Sequence, residues 1–203
     1  VTERFVAVLA TPAMAAAAPP GIDPREFLRA ITEDTCDLLS NLEGVRLALA
    51  TPIPGLDDLT WPGTHVIDAA SASAAFDALA GLATAPGAEA AVITADAPDL
   101  PPLLIAKLFR ALGRAKVAYA PADGGGLVAL AARLPLPGWA AGIDPDAPAA
   151  GVRLRKAAPD RPDVAKTPGW HRLRTPADLH HLDPALEGWD ATRALLSGHP
   201  LPR

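Results

Sequence analysis

The chain of 203 residues has one cysteine, one tyrosine and few aromatics of any kind, 4% in all. A lone thiol, Cys36, excludes an internal disulfide framework and a zinc site built from several cysteines. Its place inside an expected helix makes it a buried, inert thiol. The shortage of aromatics leaves the core to Ala, Val and Leu, and small side chains imply closely packed layers. Lys and Arg do not cluster, and the formal net charge is −5. That balance gives no electrostatic footprint for nucleic acid, so this class of partner is excluded. No apolar run approaches the roughly 20 residues that span a bilayer. The first residues, VTERFVAVLA, lack a basic segment followed by a cleavage site. A soluble, cytoplasmic protein is expected.

What the chain does have is length for one full core, apolar residues at half of all positions, and 23 prolines. Residues 1–203 are expected to form a single domain. Phe5–Ala10 (FVAVLA) is a short apolar run suited to a central parallel strand. Asp23 and Pro24 predict a helix start, with Phe27, Leu28, Ile31, Leu38 and Leu39 as its stripe and Gly44 as its end. Val45–Ala50 and His65–Asp68 read as strands. Ser71 or Ser73 caps a helix carrying Phe76, Leu79 and Leu82. Ala90–Ala95 is the next strand, and Leu103 to Leu112 have helical spacing closed by Gly113. Val117–Ala120 and Leu127–Ala132 are two further strands around PADGGG. Gly138 to Lys166 is the least regular part, expected to cross the surface. Trp170–Leu173 reads as a last strand, and Pro176–Leu182 and Trp189–Leu196 as short helices. The alternation predicts an α/β fold with a mostly parallel, twisted sheet.

Polar motifs are few. In ITADAPDLPP (Ile93–Pro102), Asp96 follows an apolar strand, where open α/β sheets hold a metal or ligand. A carboxylate there can ligate Mg2+ or Mn2+ together with substrate phosphates. Asp99 is expected to cap the next helix, with Pro101 and Pro102 in or near its first turn. The first βα loop, Thr11–Asp23, carries no Lys or Arg and neither a G-x-G-x-x-G nor a Walker pattern, so a plain connection is expected. The glycines of PADGGG permit a tight turn or close approach to a ligand. No G-x-S-x-G elbow occurs, and the adjacent His180 and His181 do not form a metal-binding pair.

Four segments, in order, resemble the bacterial glycosyltransferase A-like (GT-A) proteins related to nucleotide-diphospho-sugar transferases, some of them associated with arsenosugar biosynthesis. FLRAITEDTCDLLSNLEGVRLALA is similar to their first helix and second strand, and AAVITADAPDLPPLLIAKLFRAL to their G-x-D-x-P-x-L segment. VAYAPADGGGLVALAAR resembles their G-P-A-x-D-G-G-Y-Y strand pair, and LRTPADLHHL their D-x-D-T-P-x-D-L close. The resemblance implies a GT-A fold, Rossmann-like, with helices on both faces of the sheet and a nucleotide-sugar at the strand C-termini, usually with Mg2+ or Mn2+. Molybdenum-cofactor and phospholactate nucleotidyltransferases share that architecture.

Carried over residue by residue, the resemblance gives Asp96 a metal or nucleotide-ribose role and Gly125 and Gly126 a place in the nucleotide site. Gly124 falls where the family has Asp, with Asp123 one position early. Thr175, Pro176, Asp178 and Leu179 match the closing motif, but Arg172 and Arg174 stand in place of its D-x-D. The basic signature of the family's first loop is missing. Guanidinium groups in place of carboxylates would repel Mg2+ and could instead neutralise phosphate. The reading is a transferase-like protein that binds a nucleotide-sugar with its catalytic residues partly lost and none identifiable. The alternatives are a non-catalytic module that binds a protein partner near the Trp61 or Trp139 loops, and a nucleotidyltransferase.

Overall fold

Val6 and Val8 of β1 (Arg4–Leu9) face one layer of helices, while Phe5, Ala7 and Leu9 face the other, and all five are nearly inaccessible. A strand covered on both sides must be apolar at every position, which is why FVAVLA shows no alternation. The computed structural model describes residues 2–197. Its sheet has seven strands in the order β3-β2-β1-β4-β6-β5-β7. The other strands are β2 (Arg46–Ala50), β3 (His65–Ile67), β4 (Glu89–Thr94), β5 (Val117–Pro121), β6 (Leu127–Arg133) and β7 (Val164–Lys166). All neighbours run parallel except β6, antiparallel to both β4 and β5.

The expected α/β sheet with helices on both faces is the fold found. Helices α1 (Pro24–Ser40), α3 (Pro102–Leu112) and α5 (Asp190–Leu196) pack on one face. Helices α2 (Ala72–Leu82) and α4 (Ala150–Ala157) pack on the other. Asp23 caps α1, its Oδ1 accepting from the Arg25 amide at 2.7 Å, and Ser71 caps α2 through the Ala74 amide. Alanines along β4 and β6 allow close layers: Gly151 of α4 approaches Tyr119 so closely that a Cβ would lie 2.7 Å from its ring.

Three expectations change. Helix α1 stops at Ser40, short of Gly44, where the Ser40 hydroxyl and the Asn41 side-chain Nδ2 both donate to the Asp37 carbonyl and compete with backbone helical bonding in the last turn. The stretch from Gly138 to Lys166 contains α4 and the edge strand β7, which pairs with β5. Trp170–Leu173 is consequently not a strand of the sheet; only Trp170 bridges to Ala122. No helix among the described residues is long and apolar enough to cross a membrane.

Candidate functional site

The chain leaves β4 at Thr94 and turns through Asp96, whose side chain is 2% exposed. The segment Trp170–Arg174 crosses that strand end, and the Leu173 amide donates to the Asp96 carbonyl at 2.7 Å. Extended backbone sends successive side chains to opposite sides. Leu173 therefore enters the core, while Arg172 and Arg174 face a cavity of about 250 Å3 together with Ala13, Met14, Asp96 and Asp146. A neighbouring cavity of about 370 Å3 shares Met14 and Asp146 and is lined by Leu9, Thr11, Ser73, Thr94 and Ile143 among others. The two form a crevice at the C-terminal ends of β1 and β4, the position at which open α/β sheets bind ligands.

Arg172 is paired on every side. Its Nε donates to Asp96 Oδ1 at 2.7 Å and its Nη2 to Asp96 Oδ2 at 2.8 Å, a bidentate pair. Nη2 also lies 2.7 Å from Asp146 Oδ1, and Nη1 donates to the carbonyls of Leu127 and Pro145. Burial alone would push this guanidinium's pKa down, but Asp96 and Asp146 outweigh it and hold the group charged. Arg174 differs. Its Nε and Nη2 are shielded from solvent and lack a partner among the described residues. Desolvation, then repulsion from Arg172, pushes its pKa below the usual arginine range. A cation in that setting favours an anion.

Asp178 anchors this arm. It accepts from the Arg174 amide at 2.9 Å and from the Thr175 amide and hydroxyl at 2.8 and 3.0 Å. Burial raises this carboxyl, but those bonds and the nearby His181 outweigh it and hold it below its ordinary value of 3.8. A depressed carboxylate contributes stability above its unfolded pKa and loses it as pH falls through the folded value. Asp178→Asn should therefore flatten the acid slope: its urea midpoint is expected to fall less than the wild type's between about pH 5 and pH 3.

Gly125 and Gly126 line neither cavity. The Gly125 amide donates to the Ala122 carbonyl and the Gly126 amide to the Pro148 carbonyl, so neither is free to face a phosphate. Their role is to admit neighbours: a Cβ on Gly126 would lie 2.5 Å from both Arg174 Nη2 and the Pro145 carbonyl. Asp99 does not cap α3. Pro101 occupies the cap position and Pro102 the first helical one, and neither has an amide hydrogen to offer. Asp99 instead accepts from Trp170 Nε1 at 3.1 Å and faces His171 Nε2 at 2.9 Å. Asp146, from the irregular stretch, had no signal in the sequence. Nor did the first loop, where Ala13 and Met14 form one wall without supplying a cation. Trp61 is 59% exposed, its Nε1 donating to Asp37, whereas Trp139 packs against the core.

A divalent cation on Asp96 does not fit this arrangement. Both carboxylate oxygens face a guanidinium, whose charge opposes a second cation beside it. Among the described residues no group of three or more His, Cys, Asp or Glu side chains is placed to hold a metal ion.

Solved structures share this architecture. A protein of Desulfovibrio desulfuricans G20, provisionally named a nucleotide-diphospho-sugar transferase, superposes with a TM-score of 0.64 at 16% identity, over 98% of this chain and 99% of that one. The two proteins share one α/β fold. CMP:2-keto-3-deoxy-manno-octonic acid synthetase, solved with CTP, shares the fold with a TM-score of 0.57 at 12% identity, over 98% of this chain and 100% of that one. Rv0371c of Mycobacterium tuberculosis H37Rv, solved with manganese, gives a TM-score of 0.55 at 18% identity, over 97% of this chain and 99% of that one. Residues 69–144 match a family described as an uncharacterized protein conserved in bacteria, DUF2064. No curated protein matches the chain.

Proposed function

We propose that the chain binds a nucleoside diphosphate sugar in the crevice at the C-terminal ends of β1 and β4, and that its transferase chemistry is degenerate. The observation that carries this reading is Arg174, a partly buried guanidinium whose Nε and Nη2 have no partner among the described residues, facing a cavity. A diphosphate oxygen would supply the missing acceptor and relieve repulsion from Arg172. The adjoining cavity, with apolar Leu9, Met14 and Ile143 beside the hydroxyls of Thr11, Ser73 and Thr94, offers a base or sugar both contact area and hydrogen bonds. Asp96 serves as the buried counter-charge that fixes Arg172, and Arg174, rather than the fully paired Arg172, supplies the positive charge for the phosphates. Gly126 gives Arg174 the room it occupies.

The test is calorimetric titration with a panel of nucleoside diphosphate sugars and nucleoside triphosphates against wild type and Arg174→Ala. A diphosphate sugar is expected to bind, and Arg174→Ala to weaken it about tenfold or more, equivalent to about 1.4 kcal/mol. Because Arg174 makes no side-chain bond that the fold needs, the variant's Tm should stay within about 2 °C of wild type. No binding across the panel at millimolar ligand would reject the reading in favour of a module that binds a protein. A triphosphate preferred over every diphosphate sugar would assign a nucleotidyltransferase-type ligand.

A further inference from the structure

Two carboxylates from distant parts of the chain converge on one atom. Arg172 Nη2 lies 2.8 Å from Asp96 Oδ2, at the end of β4, and 2.7 Å from Asp146 Oδ1, in the loop before α4. Carboxylate oxygens brought together at the wall of a cavity form the kind of donor set that a hard divalent cation uses, with water or phosphate oxygens filling its remaining positions. Here a guanidinium nitrogen occupies the point of convergence. Arg172 and Asp96 side chains are each 2% exposed, whereas that of Asp146 is 51% exposed and borders both cavities.

We propose that Arg172 is a built-in cation that takes the place of a divalent metal, and that removing it turns the Asp96–Asp146 pair into a metal site. The guanidinium is tethered through Leu127, Pro145 and both oxygens of Asp96. A metal ion would have to orphan all of those bonds to displace it. Anion binding beside it is accordingly independent of Mg2+ and Mn2+. Without the guanidinium, Asp96 loses the only cation bonded to it and keeps just the weaker, non-bonded attraction of Arg174, Asp146 lines the same cavity, and that cavity gives a hydrated ion its route in. This deepens the proposed nucleotide reading, on which it rests, by saying why that site needs no metal, but its test needs only the metal.

Mn2+ is titrated into wild type, Arg172→Ala and Arg172→Ala/Asp146→Asn, with free Mn2+ followed by electron paramagnetic resonance and Tm recorded with and without the ion. Wild type is expected to take up no Mn2+ at millimolar concentration. Arg172→Ala should bind one ion and gain Tm with it, and the added Asp146→Asn should weaken binding about tenfold or more. Mn2+ bound by wild type and lost in Asp96→Asn would overturn the proposal, as would a folded Arg172→Ala that takes up no Mn2+. If the alanine variant does not fold with or without the ion, the wild-type titration decides: uptake that depends on Asp96 overturns the proposal, and none supports it. Because no nucleotide is present, failure of the nucleotide reading leaves this outcome untouched.

Discussion

Asp96→Ala is expected to destabilise the fold by about 3–5 kcal/mol. The substitution strips Arg172 of both its bidentate bonds and of its only buried counter-charge, while the guanidinium stays buried beside the loop at Pro145. What remains opposite it is the half-exposed Asp146, and a poorly compensated buried charge costs more than the absence of the pair altogether. For a chain of this length the loss corresponds to a fall in Tm on the order of 10 °C. Urea unfolding followed by circular dichroism measures it directly. The double variant Asp96→Ala/Arg172→Met should recover a large part of the loss, because an apolar side chain of similar length carries no desolvation penalty. If the single variant unfolds at the same urea concentration as wild type, the pair is not the anchor described here. A consequence for ligand work follows: lost binding in Asp96→Ala reports on folding as much as on contact, whereas Arg174→Ala separates the two.

The second large effect is expected at Gly126. Its φ of +81° lies where L side chains are strained, and a Cβ would meet the Pro145 carbonyl and Arg174 Nη2 at 2.5 Å. The arginine tip can move aside; the Pro145 carbonyl cannot move without releasing the Leu127 amide, which donates to it at 2.8 Å. Gly126→Ala should therefore cost about 2–5 kcal/mol, the sum of backbone strain and overpacking. Gly124→Ala is the control. Its φ is +75°, but nothing lies within 4 Å of the added methyl, so only the backbone term of about 1–2 kcal/mol remains. Equal urea midpoints for the two variants would show that the close approach of Arg174 and Pro145 to Gly126 carries no energetic weight. Gly126→Ala should also weaken anion binding more than Gly124→Ala, since only the first displaces Arg174.

The sheet was legible in the sequence because its strands are buried on both faces. FVAVLA, the LALA of VRLALA and the AAVI of AAVITA are continuous apolar runs, separated by helices with clear starts at Asp23 and Ser71, and local chemistry sets those boundaries. The segments resembling the transferase family were legible for the same reason, as motifs at the ends of such strands. Asp96, Arg172 and Arg174 could be named from their positions, and the tertiary structure does bring the three to one cavity. What each does there could not be read from the chain. Whether a carboxylate faces a metal or a guanidinium depends on the register of Trp170–Arg174 against β4, set by one backbone bond between residues 77 apart in sequence, Asp96 and Leu173. The same long-range pairing takes Asp99 away from its helix to Trp170 and brings Asp146 out of a stretch without periodicity, while Gly125 makes clearance for Pro148 and Gly126 for Arg174 and Pro145. Propensity, capping and apolar periodicity act over a few residues, so the sequence by itself determined the elements from β1 to β6 and the residues at their strand ends, but not α4 or β7. Pairing of charges across the sheet's C-terminal edge is a property of distance in space, so only the tertiary structure decided that Asp96 pairs with Arg172 and that Arg174 Nε and Nη2 have no partner among the described residues.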